Sequence, residues 1–475
     1  MKVHPLLASL YVCSVSLWAG PASSGTGPIR HTTLPNDNPD MTLSQFAFGA
    51  CWKPSHSQKH WAPIMANQPQ LWLWLGDNIY ADTDDMAVMK NKYGQLGDTP
   101  GYRKLVDLCP VLATWDDHDF GKDDVGRDYR MREASQKVFL EFFNERPDSA
   151  RHKRPGVYTS YYFGQADQRV QLILLDTRYF RSPLKRIEGK APYPRMGKYT
   201  PDLTRDATML GDEQWTWLEG ELKKPARVRI IGSSIQFAAP HNGYETWANM
   251  PNEKQRMIDL IIKTRAEGVV FLSGDIHSSE FCVEEPQQCY PIFDHTSSSL
   301  NVPLGAAATH RRMGPAFGGA NFGVVHIDWA KSDPVIRFST KDTSNQTRIH
   351  HSIPLSKLTF AEENLIWTTT PDSFAGAWQT FYGPLTLAKE GEGKWTGTCA
   401  DRTLTLNEGQ FGLVGTWRGE KQHGRVTFTL TRDGKFLNGA YSYENLPLQL
   451  DWAGWKADWE KHFKRDDYYQ RKKKK

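Results

Sequence analysis

Leu71-Trp72-Leu73-Trp74-Leu75-Gly76-Asp77-Asn78-Ile79-Tyr80 is the stretch that decides how this chain is read. Five consecutive apolar residues suit a strand buried on both faces, and the run stops at a glycine followed by a carboxylate. Three other stretches repeat the plan. Gly49-Ala50-Cys51 closes the apolar run 43–49, Trp115-Asp116-Asp117-His118-Asp119 closes the run 111–115, and Gly274-Asp275-Ile276-His277 closes the run 269–273. Each ends in groups that bind metals or move protons. Side chains delivered from the ends of several strands, far apart in the chain, are how an α/β sheet assembles a site at its carboxyl edge.

Working outward, further apolar runs at 170–175, 228–233, 324–329 and 335–338 read as strands. Helix-like stretches cover 127–143, 211–222 and 251–266; in the last, Met257, Leu260, Ile261 and Ile262 recur at helical spacing. Strands alternating with helices predict a layered α/β core with a largely parallel or mixed sheet. Proline and glycine punctuation over 183–211 predicts a long surface loop, one that could overhang the site. From residue 366 the texture changes to short alternating runs broken by glycine, such as Gly376-Ala377-Trp378 and Gly415-Thr416-Trp417. Residues 366–456 therefore read as a small antiparallel β sandwich or barrel. Its tryptophans either fill that module's core or stand exposed as a contact for glycan or wall polymer.

A length of 475 residues suggests two or three domains, and 39% apolar content with 17 Trp suffices for a large core. The net charge of +4 sets up no strong field, so charge does not imply nucleic-acid binding. The basic tail 457–475 reads as a solvated end. Lys2, the apolar stretch 5–19 and the small residues to Ser24 read as a signal peptide over 1–24, which predicts a secreted or periplasmic protein without a transmembrane segment. Apart from Cys13, five cysteines remain. The odd count asks for one thiol with another task, for which Cys51 is the candidate, and Cys282 with Cys289 could close a small disulfide loop.

Ligand chemistry narrows the function. Asp77 can bridge two cations, because a carboxylate has two oxygens and about four lone-pair sites. Cys51 as thiolate, Tyr80 as phenolate and His277 as imidazole would join it on one ion. That donor mixture suits redox-capable iron better than magnesium or calcium. A phenol with an ordinary pKa near ~10 ionises at neutral pH only beside a strongly acidic metal such as ferric iron. Asp117 and Asp275, sharing Asp77, would form a second site of oxygen donors, which favours Ca2+, Mg2+ or Mn2+. Such a pair clamps a phosphate and activates water. His118 is placed to protonate the leaving oxygen. Arg178, in Asp176-Thr177-Arg178 after another strand, could hold a phosphate oxygen or pair with Asp176.

The stretches 48–80, 113–129, 174–181 and 272–279 resemble the alkaline phosphatase D family, a branch of the calcineurin-like metallophosphoesterases. The resemblance covers about residues 40–355. It implies a four-layered α/β/β/α core with two central sheets, to which the β module adds a smaller C-terminal antiparallel β domain. It also implies a secreted phosphatase or phosphodiesterase holding ferric iron (Fe3+) and Ca2+. Cys51, Asp77, Tyr80 and His277 would hold iron, Asp77, Asp117 and Asp275 would face calcium, and His118 would be the acid. Mn2+, Mg2+ or Zn2+ could occupy the same ligands. The family pattern is not fully met: Asp123 stands where the branch often has Asn, and the superfamily's middle-strand histidine has no counterpart near Ser234-Ile235-Gln236. Among substrates, phosphate monoesters lead. Diesters, including a phospholipase D-type reaction on lipid or cell-wall phosphodiesters, form the alternative, and a non-catalytic glycan- or wall-binding protein with an inactive phosphatase domain forms the second.

Overall fold

Alternation along two short strands sorts the side chains of the core. In Gln45–Gly49, Phe46 and Phe48 enter one apolar cluster and Ala47 another; in Trp72–Leu75, Leu73 and Leu75 join the first while Trp72 and Trp74 join the second. Successive residues of a strand point to opposite faces, so this sheet is buried on both. The structure, a computed structural model, describes residues 28–189, 197–305, 311–366, 370–380, 382–409, 412–443, 450–452 and 454–456.

In chain order the core strands begin with β1 Asp37–Asn38, β2 Gln45–Gly49, β3 Trp72–Leu75, β4 Val111–Thr114, β5 Thr159–Phe163 and β6 Val170–Leu174. They continue with β7 Val228–Ser233, β8 Val269–Ser273, β9 Ser279–Glu284, β10 Ile292–Ser297, β11 Asn321–Asp328, β12 Val335–Asp342 and β13 Thr347–Pro354. Seven form one sheet of order β1-β5-β6-β7-β8-β10-β9, and six form a second of order β13-β12-β11-β2-β3-β4. In the first, β6, β7, β8 and β10 run parallel; in the second, β2, β3 and β4 do.

The helices packed on the core sheets are α1 Trp61–Ala66, α2 Met86–Gly97, α3 Pro100–Leu108, α4 Asp117–Phe120, α5 Arg132–Phe142, α6 Gly211–Leu222 and α7 Pro251–Thr264, with a further short one at Glu362–Leu365. Apolar residues of α6 and α7, among them Trp215, Leu218, Met257 and Ile261, share the first cluster with both sheets. Those of α1, α2, α3 and α5 share the second with Trp72 and Trp74. The chain is thus a mixed α/β core, with parallel strands delivering their carboxyl ends to one edge.

The expected strands are present within a few residues of their predicted limits. The helix expected over 127–143 starts only at Arg132. Residues 183–211 hold no long element among those described, only a bridge between Arg186 and Tyr199. The expected Cys282–Cys289 disulfide is not formed: both are buried and neither is in a disulfide, as holds for Cys51, Cys109 and Cys399. Cys282 lies inside β9 opposite Asp294, whereas Cys289 lies in the connection ahead of Ile292. Residues 1–24 and 457–475, read as signal peptide and tail, lie outside the described residues. Among the described residues, no helix is long and apolar enough to cross a membrane.

The C-terminal strands are β14 Gly376–Thr380, β15 Gly383–Gly391, β16 Lys394–Cys399, β17 Arg402–Gly409, β18 Gly412–Arg418, β19 His423–Leu430, β20 Phe436–Tyr441, β21 Leu450–Asp451 and β22 Gly454–Lys456. All pair antiparallel, and the β19–β20, β20–β22 and β14–β22 pairings bring the sheet nearly to closure. Trp378, Trp395, Trp417 and Trp452 are at most 2% exposed and fill its interior. Of the two readings of these side chains, the one that has them fill the module's core holds for these four: a small closed sheet needs them there. Arg432 joins module to core, its guanidinium donating to the carbonyls of Cys289 (2.9 Å), Asn364 and Pro286.

Candidate metal centre

Four strand ends meet because two glycines let them. A Cβ on Gly76, just past β3, would lie 2.4 Å from the Asp116 Cβ and 2.8 Å from its backbone nitrogen. Gly76 also has φ of +98°, which side-chain-bearing residues rarely adopt. A Cβ on Gly274, past β8, would lie 2.8 Å from the Ala50 Cβ and 2.9 Å from the Leu75 carbonyl oxygen. The turns after β2, β3, β4 and β8 therefore converge, carrying Cys51, Asp77, Asp117, Asp275 and His277 with them.

These residues form two contiguous groups. Ligand atoms of Cys51, Asp77 and His277 lie within 4.8 Å of one another. The Cys51 Sγ is 3.3 Å from Asp77 Oδ2 and 3.0 Å from Ser298 Oγ. His277 Nδ1 is 2.7 Å from the Val302 carbonyl, which can only accept, so Nδ1 carries the hydrogen and Nε2 has a free lone pair. Tyr80 donates its hydroxyl to Asp77 Oδ2 at 3.0 Å. The second group joins Asp116, Asp117, Glu245 and Asp275, again within 4.8 Å. Asp77 links the two, since it also lies within that distance of Asp117 and His118.

The site concentrates negative charge in a buried space. Burial, then neighbouring Asp117, Asp116 and Asp119, pushes the Asp77 carboxyl well above its usual range, with His118 opposing. Burial, then Asp116, Glu245 and Asp117, does the same to Asp275. The Cys51 thiol and Tyr80 phenol are pushed up by burial and Asp77. Asp116 is pushed up to about 7 by burial, with Arg178 opposing. Burial works against a charged His118, but Asp77, Asp117 and Asp82 outweigh it and raise the imidazole to about 11. Burial lowers His277 to about 4. Three buried carboxylate oxygens, Asp77 Oδ1, Asp116 Oδ2 and Asp117 Oδ1, have no hydrogen-bond partner. An unsatisfied buried anion is costly, and cations at these two groups would satisfy both the charge and the lone pairs. The residues therefore fit a metal pair. One donor set mixes sulfur, imidazole nitrogen and oxygen; the other is all oxygen.

His118 sits at the rim. Its Nδ1 meets Asp82 Oδ1 at 2.6 Å, and its ring centroid is 4.1 Å from that of Tyr80. Arg178 is fully buried and spent on the protein: Nε meets Asp116 Oδ1 at 2.6 Å, and the two terminal nitrogens meet Glu245 at 2.8 and 2.6 Å. Asp176 binds the backbone nitrogens of Arg178 and Tyr179 instead, both at 2.9 Å.

Glu245 and the Asp124 backbone were not anticipated, and Ser234 was noted only where the superfamily's histidine is missing. Glu245 is clamped by Arg178 and Arg181. The Asp124 backbone nitrogen donates to Asp117 Oδ2 at 2.7 Å, while its carboxylate meets Lys198 at 2.5 Å and the Tyr199 hydroxyl, so loop 183–211 does reach the site's edge. Ser234 donates to Asp116 Oδ1 at 2.5 Å. Ser234 follows β7 as Asp77 follows β3, so the strand-end rule could have promoted it. Glu245 lies in a loop with no pattern around it.

The family model for PhoD-like phosphatases matches residues 46–300, the span that contains every residue of both groups. The chain belongs to the PhoD-like phosphatase family. It is 24% identical over 293 residues to alkaline phosphatase D of Bacillus subtilis (strain 168), a match covering 53% of this chain and 49% of that protein. The chain thus spans about half the length of the curated relative it matches. Among solved structures, one of PhoD superposes with a TM-score of 0.49 at 16% identity, over 67% of this chain and 73% of that one. GAP50, the anchor in the inner membrane complex of Plasmodium, gives 0.42 at 13%, over 68% and 91%.

Proposed function

We propose that this chain is an exported, metal-dependent hydrolase of phosphate esters, acting first on monoesters. The observation that carries the reading is the convergence of Asp77, Asp116 and Asp117, each with a buried carboxylate oxygen lacking a donor, in two ligand groups that Asp77 links through its approach to Asp117. Two sheets with helix-derived clusters outside them support an α/β/β/α layering for residues 40–355, and the closed C-terminal sheet supports a separate module over 366–456.

Cys51, Asp77, Tyr80 and His277 would hold Fe3+, and Asp77, Asp117 and Asp275 would hold Ca2+, with Asp116 and Glu245 behind them. When bound, such a pair supplies Lewis acidity toward a phosphoryl oxygen and toward the attacking water. The protein's own part is positioning and proton transfer. Ser298, against both Cys51 and the His277 backbone, fixes one wall; the Val302 carbonyl sets the His277 ring. Asp82 accepts from His118 Nδ1, so Nε2 is the atom from which a proton reaches the departing oxygen. Arg178 acts through others: it holds Asp116 and Glu245 in place, and lies 3.8 Å from Asp117.

The test compares initial rates on nitrophenyl phosphate and on bis-nitrophenyl phosphate, with elemental analysis of the same preparation. Monoester hydrolysis lost on chelation, and about one iron with one or more calcium per chain, is expected. Diester rates well above monoester rates would make diesters, lipid or wall phosphodiesters included, the substrate class. No hydrolysis of either, with the fold intact and metals supplied, would overturn the reading. A glycan-binding role is disfavoured by the burial of Trp378, Trp395, Trp417 and Trp452.

A further inference from the structure

Among the described residues four lysine and arginine side chains approach these site residues, and three of them are already committed. Arg178 is taken by Asp116 and Glu245, Arg181 by Glu245, and Lys198 by Asp123 and Asp124. The fourth is Lys53, two residues past Cys51. Its Nζ stands 3.9 Å from the centroid of the Tyr80 ring, and among the described residues no carboxylate or other acceptor takes that ammonium. Its backbone, by contrast, is held at two points by one buried side chain. The Lys53 nitrogen donates to Asn301 Oδ1 at 2.8 Å, and Asn301 Nδ2 donates to the Lys53 carbonyl at 2.7 Å.

A fixed backbone carrying a free cation, at the mouth of a site whose other charges are anionic or already paired, matches what an incoming phosphate needs. A stack on an aromatic face holds a lysine loosely, so the ammonium can be drawn off it by a better partner. We propose that Lys53 is the substrate-anion ligand of this site, leaving the Tyr80 ring to donate to a non-bridging oxygen of the bound phosphoryl group. This inference rests on the phosphate-ester reading above.

The experiment compares the unmodified metal-loaded chain with K53M, which keeps the stem and drops the charge, and with K53R. Binding of inorganic phosphate is measured by calorimetry, inhibition by phosphate and KM by steady-state kinetics, and metal content by elemental analysis. Hydrogen bonds to charged groups are strong enough to predict a loss of roughly 10- to 100-fold in phosphate affinity for K53M. A parallel rise in KM, unchanged metal content and partial recovery in K53R are expected. Phosphate affinity within twofold of the unmodified chain, in a K53M protein with full metal content, would overturn the role of Lys53 while leaving the hydrolase reading standing. Failure of the unmodified chain both to hydrolyse esters and to bind phosphate would overturn the two together.

Discussion

Replacing Arg178 by Met decides between a guanidinium that touches substrate and one that holds the site together. The side chain is fully buried and makes three hydrogen bonds of 2.6 to 2.8 Å to Asp116 and Glu245. Without it, Asp116 Oδ1 keeps only the Ser234 hydroxyl at 2.5 Å, and Glu245 keeps only Arg181. Removing one member of a buried charge pair costs about 3–5 kcal/mol, because the other is left uncompensated. For a core of this size about 2 °C of melting temperature accompanies each kcal/mol, so R178M should melt roughly 6–10 °C lower. Melting followed by circular dichroism after chelation isolates this cost from that of lost metal. In the metal-loaded protein kcat should fall together with metal content, because Asp117 loses its buttress. R178K, which keeps charge without the planar fork, should recover less than half of the melting shift. A melting point within 1 °C of the parent, with KM raised and metals retained, would refute this reasoning and return Arg178 to the phosphate.

Three further outcomes are expected. H118A should lose about 10²–10⁴ in kcat on a substrate with a poor leaving group, with metals retained; an unchanged rate there would remove His118 from the acid role. If ferric iron occupies the Cys51 side of the site, Y80F should abolish the visible phenolate-to-iron absorption, and colour that survives would show that Tyr80 is no ligand. Burial lowers His31 to about 4 and both His295 and His351 to about 3, so below their ordinary pKa near ~6.5 the unfolded chain takes up protons that the folded chain refuses. Stability from these groups is whole above that pH and should fall by about 1.5 kcal/mol per histidine between pH 6.5 and 5. Urea midpoints that are level across that range would contradict the burial of these rings.

The ends of β2, β3, β4 and β8 were legible because each apolar run stops abruptly at a ligand, and their sheets are buried on both faces. β10 was not. Its Asp294, His295, Thr296 and Ser297 form no apolar run, and they are tolerated inside a sheet because Ser273, the backbone nitrogens of Phe237 and Ala238, Thr340 and Asn321 bind them from elsewhere. The same holds for Glu245, whose meaning is supplied by two arginines more than sixty residues earlier. Cys282 and Cys289 misled for the opposite reason: their spacing suits a loop closure, but Cys282 is fixed in the β9 ladder while Cys289 lies in the connection after it. The repeated tryptophans of the β module announced a compact sheet, while their orientation followed only from its closure.

Backbone shape at the strand ends bears on how the site should be probed. Cys51, Asp77, Asp275 and His277 have φ of +60°, +49°, +67° and +55°, the left-handed region. For residues other than glycine, asparagine and aspartate this conformation costs roughly 1–2 kcal/mol each. Alanine at these four positions would thus mix two effects, loss of a donor and a change in how willingly the chain takes the turn. Asparagine tolerates the turn as aspartate does, so D77N and D275N separate ligand chemistry from conformational preference. Glycine at position 51 or 277 would relax the turn while deleting the donor, and a fold more heat-resistant than the parent would then measure the tension that these two ligands hold in the chain.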